Sequence, residues 1–250
     1  MSYLERHIAL RAHPASVLPG VKSVIVAAFP YAPPRGVSHP AVADYALGLD
    51  YHAVLRERLG TVASFIASHY GALCRVCVDS APLPERYWAV RAGVGFTGLN
   101  HQLYVPGAGA GFVLGEILTT LPLAPGSPVP SECTRCGACV RACPAGALQP
   151  DGTLDARRCL SYLTIEHRGE LPEGARLHGR MFGCDACRRA CPLTPSEPPR
   201  QLPEFAPRPG LMAMDCRALA SLTRGEFRRL FGCTALSRVT PAQLRRNYGR

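Results

Sequence analysis

The feature that most constrains this chain is a pair of cysteine motifs in its second half. Both space their cysteines two residues apart and end in x-x-x-Cys-Pro: Cys133, Cys136, Cys139 and Cys143 form the first, and Cys184, Cys187 and Cys191 form the second. In bacterial ferredoxins, three thiolates of such a run bind one [4Fe-4S] cluster and the fourth binds another. The spacing therefore predicts a two-cluster, ferredoxin-like segment that transfers electrons.

The second motif lacks an opening cysteine, because Met181 stands at the aligned position. Crossed ligation assigns four thiolates to the first cluster: Cys133, Cys136, Cys139 and Cys191. The second cluster is left with three: Cys143, Cys184 and Cys187. Among the other cysteines only Cys159 lies between the motifs, so we assign it as the missing ligand. We expect the rest to be small core residues: Cys74, Cys77, Cys216 and Cys233.

Zinc and disulfide bonds are the alternatives for a chain with 12 cysteines. A tetrahedral zinc site normally pairs two separated Cys-x-x-Cys units, whereas here three thiolates follow one another in a single run. Disulfides are typical of exported proteins, and the charged N-terminus does not have the pattern of a signal peptide. No stretch approaches the ~18 uninterrupted apolar residues of a membrane helix. We therefore expect a cytoplasmic protein with no membrane span.

The first half of the chain alternates between strand-like and helix-like patterns. Apolar, β-branched runs predict strands at 21–29, 73–78 and 111–118. Asp50 is the predicted N-cap of a helix that runs to about residue 70 and ends at Gly71. Four apolar residues share one face of this helix: Leu55, Leu59, Val62 and Ile66. Mixed strands and helices favour an α/β or α+β sheet domain, and we predict α+β.

Two proline-rich stretches, 121–130 and 192–209, interrupt the chain on either side of the cysteine motifs. After the second stretch we predict a helix over 218–231 and a last helix that opens at Thr240. The resulting division has three parts: a catalytic sheet domain over 1–125, a ferredoxin-like domain over 126–200, and a basic helical tail over 201–250 that packs back on the core.

The chain has a formal net charge of +10, and Lys22 is the one lysine among its 28 basic side chains. This excess favours a polyanionic partner such as RNA or DNA. A GC-rich genome would explain the choice of arginine over lysine, but it would not explain the excess of cations over carboxylates.

Further motifs occur along nearly the whole chain, in an order that is typical of one protein family. They read Tyr3-Leu-Glu-Arg-His7, Leu18-Pro-Gly-Val-Lys-Ser-Val-Ile-Val26, Asp50-Tyr-His52, Val78-Asp79-Ser-Ala-Pro82, Ala92-Gly-Val-Gly95, Leu114-Gly-Glu-Ile117, Cys159-Leu-Ser-Tyr-Leu-Thr-Ile-Glu166 and Phe182-Gly-Cys-Asp-Ala-Cys187. With the cysteine motifs, they make the chain resemble epoxyqueuosine reductase, the cobalamin-dependent enzyme that completes queuosine in tRNA. The chain departs from the family pattern in three ways: it starts at the first of these motifs, it has Leu99 where a lysine is typical, and it ends without a helical-repeat extension.

The resemblance implies a fold and an activity. The fold would be a nitroreductase-like cobalamin-binding sheet domain, followed by the two-cluster ferredoxin-like domain and a short helical tail. The activity would be the reduction of epoxyqueuosine to queuosine at the tRNA wobble position, with electrons passing from two [4Fe-4S] clusters to cobalamin. The implied partners are the anticodon stem-loop of tRNA and an unidentified electron donor, and the family leans towards monomers.

The resemblance also assigns site residues. Asp79 would be the acid that lets the epoxide oxygen leave as water, and we expect burial to raise the pKa of its carboxyl for this role. The implied cobalamin contacts are Gly98, Leu99, Asn100, Gly115, Glu116, Ser161, Tyr162 and Thr164. For Tyr162, packing in a helix core is an equal alternative. The implied phosphate contacts are Arg157, Arg158, Arg168, Arg176, Arg180, Arg188, Arg189, Arg228, Arg229, Arg245 and Arg246.

Two other functions compete with this interpretation. A related cobalamin and iron–sulfur reductase would act on another substrate, such as an organohalide. A non-catalytic, ferredoxin-like carrier would only deliver electrons to a partner enzyme. Bound cobalamin separates the enzymes from the carrier, and reduction of epoxyqueuosine in a stem-loop separates the two enzymes.

Overall fold

The computed structural model describes residues 8–249, so the motif at 3–7 and the last residue lie outside the described part. The described strands are β1 (Ser23–Pro30), β2 (Cys74–Cys77), β3 (Phe96–Thr97), β4 (Leu103–Tyr104) and β5 (Phe112–Thr119). The described α-helices are α1 (Ile8–Ala12), α2 (Tyr51–Tyr70), α3 (Glu85–Arg91), α4 (Ala138–Arg141), α5 (Ala186–Arg189), α6 (Pro209–Met212), α7 (Cys216–Ser221), α8 (Arg224–Phe231) and α9 (Pro241–Tyr248). Among them is no helix long and apolar enough to cross a membrane.

The main sheet has three strands, with β5 between β1 and β2. Both pairings are antiparallel, and Cys77 at the end of β2 lies opposite Glu116 of β5. Strands β3 and β4 form a separate antiparallel pair. The three predicted long strands are confirmed to within the ~2 residues by which element ends are uncertain. Antiparallel strands with helices packed on both faces of the sheet make this an α+β fold, as predicted.

Helix α2 begins and ends where the sequence predicts. The Asp50 side chain caps it by accepting the backbone N–H of His52 at 3.0 Å. Gly71 ends it in the left-handed conformation, with a φ of 63°. A residue without a Cβ adopts that conformation at little cost, so the helix stops there.

The apolar face of α2 packs on one side of the sheet. Leu55 and Leu59 are buried there against Ile117 of β5. The prediction that Val62 belongs to this face is wrong, because its side chain is 45% exposed. At that turn of the helix it is Ala63 that packs towards the sheet.

Close approach of α2 to the sheet requires glycine at position 115. A Cβ on Gly115 would lie only 2.6 Å from Cδ1 of Leu59. Because side chains alternate along a strand, the next residue, Glu116, faces the opposite side. Helix α3 covers that side, where its Ala89 packs with Leu114. The fold therefore encloses a carboxyl group in the sheet core.

The helical tail differs from the prediction in one respect. The single helix expected over 218–231 is wrong, because the chain forms two helices, α7 and α8, with a break after Ser221. Thr223 starts the second helix with a capping box, in which it and Glu226 each bond the other's backbone N–H. The last helix, α9, starts after Thr240 as predicted, and it has the same kind of cap.

The tail packs against the other parts of the chain. Leu219, Phe231 and Leu244 share one buried cluster with Val42 and Phe182. The buried side-chain amide of Asn247 adds hydrogen bonds to the backbone carbonyls of Thr164 and Met181, at 3.0 and 2.8 Å. These contacts hold the tail beside the segment that follows Cys159.

Candidate active site

A cavity of about 710 Å³ lies where the three parts of the chain meet. The sheet region contributes Asp50, His52 and Asp79 to its wall, and the tail contributes Arg238. The segment between the cysteine motifs contributes Cys159, Ser161 and Tyr162. The volume is within the ~300–1,000 Å³ range of ligand and cofactor sites, and the wall is rich in titratable side chains.

Asp79 and His52 reach the cavity from two neighbouring elements. His52 lies on the first turn of α2, and Asp79 comes just after β2, in the left-handed region with a φ of 47°. Few non-glycine residues adopt that conformation, and such residues concentrate at functional sites. A hydrogen bond of 2.5 Å from the backbone N–H of Asp79 to Oε1 of Glu85 holds the turn in place.

His52 bridges two carboxylates. Its Nδ1 lies 2.7 Å from Oδ1 of Asp50, and its Nε2 lies 3.2 Å from Oδ2 of Asp79. Hydrogen bonds to Asp50 and then to Asp79 raise the pKa of His52 to about 9, although burial opposes the rise. The imidazole is therefore protonated at neutral pH.

The same contacts lower the pKa of both carboxyl groups. The hydrogen bond from His52 lowers the pKa of Asp79 below its usual value, and this outweighs the opposing effect of burial. The expectation that burial raises the pKa of Asp79 is therefore wrong. In the His52–Asp79 pair, the proton lies on the imidazole and the carboxyl group is ionised.

An ion pair closes another part of the wall. Nε of Arg238, in the tail, lies 2.8 Å from Oε1 of Glu166. Glu166 ends a π-helical turn, Tyr162–Glu166, that begins three residues after Cys159. The ring of Tyr51 stacks on His52 with a centroid separation of 4.1 Å, which fixes the imidazole plane.

The first predicted set of cysteines lines one small space. Its members are Cys133, Cys136, Cys139 and Cys191. Cys136 is exposed and Cys139 is buried, so this set lies at the edge of the molecule. Thus the chain brings together three cysteines of the first motif and the last cysteine of the second motif.

The second predicted set also comes together. Burial and then the neighbouring thiols of Cys184, Cys159 and Cys143 raise the pKa of Cys187 to about 12. Sγ of Cys143 accepts the backbone N–H of Ala147 at 3.2 Å, a type of bond that tunes cluster potentials. Cys159 also lines the large cavity, so this cysteine set adjoins it.

These two sets fit clusters by their chemistry, since each offers four thiols that become thiolate ligands. Within residues 8–249, no three His, Cys, Asp or Glu side chains converge closely enough to hold a single metal ion. A four-iron cluster holds its ligands further apart than one ion does.

The predicted cobalamin contacts divide between three places. Ser161 and Tyr162 line the large cavity. Gly98, Leu99 and Asn100 instead lie beside the first cysteine set. Leu99 packs there with Cys139, and Asn100 donates to the hydroxyl of Tyr104 and the carbonyl of Cys187, at 2.9 and 3.2 Å.

The remaining three predicted contacts are internal. Gly115 packs under α2, and Glu116 is fully buried. The hydroxyl of Thr164 donates to the carbonyl of Leu160 at 2.7 Å and accepts the N–H of Gly183 at 2.9 Å. The Thr164 hydroxyl thus makes its hydrogen bonds inside the protein.

The predicted phosphate contacts also divide. Arg188 is wrong as a surface contact, because its side chain is buried and paired with Asp44 and Asp185. Arg246 donates hydrogen bonds to the backbone carbonyls of Leu163 and Gly169, so its guanidinium group stabilises the fold. By contrast, a second cavity of about 440 Å³ has exposed arginines in its wall: Arg157, Arg158 and Arg176.

Sequence reasoning missed several residues of the site. His52 stands in a quoted motif, Asp50-Tyr-His52, and that motif was the available signal. Glu85 and Arg238 carry no local signal, because only the tertiary fold brings them to Asp79 and to Glu166.

Two family models match the two parts of the chain that supply most of this site. A family model described as a 4Fe-4S double cluster binding domain matches residues 132–194. The chain thus combines a double-cluster iron–sulfur domain with an α+β domain, and it is an oxidoreductase by class. A family model described as epoxyqueuosine reductase QueG matches residues 11–80.

Curated relatives and solved structures extend the match to the whole chain. The epoxyqueuosine reductases of Vibrio cholerae and Escherichia coli are each 38% identical to it, over 99% of this chain and 70% and 68% of theirs. A crystal structure of epoxyqueuosine reductase with an epoxyqueuosine-modified tRNA-Tyr stem loop superposes with a TM-score of 0.86 at 30% identity, over 99% of this chain and 72% of that one. A Bacillus subtilis epoxyqueuosine reductase superposes with a TM-score of 0.85 at 32% identity, over 96% and 67%. The chain belongs to the epoxyqueuosine reductase family.

Proposed function

We propose that this chain reduces epoxyqueuosine to queuosine at the wobble position of tRNA, with two [4Fe-4S] clusters and cobalamin as its cofactors. One observation carries the proposal. The 710 Å³ cavity has on its wall both Cys159, a member of the second cysteine set, and the proton-holding His52–Asp79 pair. Electrons and protons would thus reach one site. The names of the relatives and the stem loop bound by one of them support this substrate.

The eight cysteines would act as cluster ligands in the two sets described. Cys133, Cys136, Cys139 and Cys191 would hold one cluster, and Cys143, Cys159, Cys184 and Cys187 would hold the other. The proposed division of labour follows the three predicted parts: the cobalamin-binding domain over 1–125, the cluster domain over 126–200 and the tail over 201–250. A nitroreductase-like build of the first part belongs to the same proposal.

Cobalamin would bind in the large cavity, with Ser161 and Tyr162 in contact with it. When bound, it supplies a strongly reducing cobalt centre close to the substrate. Gly98, Leu99, Asn100 and Thr164 remain predicted contacts whose support is the family resemblance alone. Gly115 and Glu116 are enclosed in the sheet core, so we do not keep them among the proposed contacts.

The chain's own acid chemistry follows from the His52–Asp79 pair. Removing an epoxide oxygen as water requires a positioned proton donor, because an alkoxide is a poor leaving group. The imidazolium of His52 holds that proton, and Asp79, 3.2 Å away at the cavity wall, positions it and passes it on. Asp79 remains the proposed catalytic residue, with His52 as its proton source.

The arginines of the 440 Å³ cavity would grip the RNA backbone. Arg157, Arg158 and Arg176 are exposed, and the cavity also contains Pro144, which follows the cluster ligand Cys143. Guanidinium groups bind phosphate through paired hydrogen bonds. An external electron donor, a monomeric state and action in the cytoplasm complete the proposal.

The test is an assay on anaerobically reconstituted protein with a synthetic anticodon stem-loop that contains epoxyqueuosine. We expect conversion of the modified base to queuosine, measured by mass spectrometry of the digested RNA, and bound cobalamin in the same sample. Bound cobalamin without conversion would indicate a reductase for another substrate. Failure to bind cobalamin would indicate an electron carrier, and either result would refute the proposal.

A further inference from the structure

Glu116 is the most unusual side chain outside the cavity wall. It lies in the middle of β5 and is 0% exposed. Neither of its carboxyl oxygens has a hydrogen-bond partner in the part of the chain that the structure describes. An ionised carboxylate in such a place would be very costly, so the group takes up a proton instead. Burial, and then the nearby carboxylates of Glu85 and Asp79, raise the pKa of Glu116 to about 9.

The strand register connects this buried acid with the active site. Glu116 lies opposite Cys77, the last residue of β2, and Asp79 follows two residues later. Glu85 is near both: its Oε1 accepts the backbone N–H of Asp79, and its charge contributes more to the raised pKa of Glu116 than that of Asp79 does. A half-buried carboxyl group thus neighbours both the buried acid and the carboxylate that His52 contacts.

Groups from three neighbouring elements act on Glu116 and Glu85. Strand β2 contributes Cys77, whose thiol stays neutral because burial and then Glu116 raise its pKa to about 11. Helix α3 contributes Glu85 itself, whose pKa burial raises to about 7, and the cation of Arg86. Helix α2 contributes the cation of His52, which lowers the pKa of Glu85.

The proposed reaction needs more protons than the His52–Asp79 pair holds. Two carbon–oxygen bonds of the epoxide break, a carbon–carbon double bond forms, and the oxygen leaves as water. That change takes up two electrons, which the external donor supplies through the cofactors, and two protons. His52 holds one of them, and a cavity filled by cofactor and base leaves little water to supply the other.

We propose that Glu116 is an internal proton reserve that recharges the His52–Asp79 pair through Glu85, and so supplies the second proton of the reaction. This role rests on the proposed function. Once His52 loses its proton, its cation no longer favours the anions of Asp79 and Glu85, so both attract a proton more strongly. Glu116 then releases its own and is refilled from solvent by way of the half-buried Glu85.

The first test is infrared spectroscopy of the reconstituted protein, and it does not depend on turnover. We expect a protonated-carboxyl stretching band at pH 7 that disappears in Glu116→Gln. Glu57→Gln makes the same chemical change on the exposed side of α2 and should leave the band in place. If Glu116→Gln removes no protonated-carboxyl band from the wild-type spectrum, the proposal is overturned.

The second test is single-turnover reduction of the stem-loop. Glutamine has nearly the shape of a protonated glutamate but no proton to give, so the fold, the cofactor content and stem-loop binding should be unchanged. We expect turnover to fall by ~10²-fold, the low end of the contribution of a positioned proton donor. Added imidazole buffer, a small mobile acid, should restore part of the rate. Glu57→Gln should match the wild type.

The two proposals fail in different ways. If the wild type reduces epoxyqueuosine and Glu116→Gln does so equally fast, Glu116 is not a proton reserve and the function stands. If the wild type shows the carboxyl band but does not reduce epoxyqueuosine, the function fails and the reserve has no reaction to serve.

Discussion

His52 lies between Asp50 and Asp79 at hydrogen-bonding distance from both, and this position decides where the site keeps its proton. A carboxyl group that must donate at neutral pH usually needs a raised pKa. Here the pKa of Asp79 is lowered and that of His52 is raised, so the histidine holds the proton and the carboxyl group is ionised. In the proposed function, His52 and Asp79 therefore act together, and neither side chain is the acid alone.

The pair predicts a pH dependence. Turnover should be constant near neutral pH and fall as the pH rises through about 9, where His52 loses its proton. In Asp50→Asn the largest cause of the raised pKa is gone, so the fall should begin at lower pH, towards the ordinary value of about 6.5. Single-turnover rates from pH 6 to 10 measure both curves. Identical curves for the two proteins would contradict the claim that His52 holds the proton used in turnover.

The same shift affects the stability of the folded chain. Because the folded pKa of His52 lies above its unfolded value, its contribution is fully present below pH ~6.5 and is lost as the pH rises through about 9. The melting temperature of wild type should therefore approach that of His52→Gln across this range. A gap that stays constant would show that the His52 pairing contributes no pH-dependent stability.

Asp79 itself is tested by Asp79→Asn. The variant should keep iron, cobalamin and stem-loop binding, and lose ~10²–10⁴-fold in turnover, because the amide cannot pass on a proton. Asp215→Asn is a matched control, since Asp215 caps α7 far along the chain and asparagine caps helices equally well. Unimpaired turnover of Asp79→Asn would remove the catalytic assignment.

At the scale of elements, the sequence predicts those whose signals are local. Asp50 and Gly71 bracket α2, and β-branched runs locate the strands, because caps and side-chain alternation act within a few residues. The sequence does not predict the split of the tail into α7 and α8, because apolar residues continue across the break, where Leu222 is buried. The assignment of Val62 to the buried face of α2 is wrong because the helix pattern does not show how much of that face the narrow sheet covers.

The capping box at the start of α8 gives a prediction for this break. Thr223→Ala should lower the free energy of unfolding by ~1 kcal/mol, the usual cost of a lost N-cap. Chemical denaturation followed by circular dichroism measures the change. Thr61→Ala, at an exposed position inside α2, is the control and should have little effect, because alanine is the better helix former there. Equal effects of the two substitutions would argue against a specific role for the cap.

At the scale of the whole molecule, the site is made by long-range contacts. The cysteine sets were predictable since ligand spacing is local and Cys159 was the only cysteine between the motifs. The location of Gly98 to Asn100 beside the first set, and of Arg238 at the cavity, depends on how the parts pack and leaves no mark on nearby sequence. Thus the sequence predicts the cysteine ligands of the site better than it predicts which residues line the surrounding cavity.

The proposed RNA-binding surface is also a whole-molecule property. Replacing both Arg158 and Arg176 with alanine should weaken stem-loop binding and reduce the slope of log K against log salt by ~1–2, because each phosphate contact releases about one counterion. Arg91→Ala, an exposed arginine at the end of α3, should leave both unchanged. Fluorescence anisotropy at several salt concentrations measures these quantities, and an unchanged slope in the double variant would exclude this cavity from phosphate binding.

The central claim is that eight thiolates hold two clusters beside a cobalamin cavity. An iron and cobalt assay of anaerobically reconstituted protein, with its visible spectrum, tests it most directly. We predict ~8 irons and ~1 cobalt per chain, and ~4 irons in Cys159→Ser if the second set cannot hold its cluster with three thiolates. Wild-type protein with ~4 irons, or with iron but no cobalt, would contradict the account.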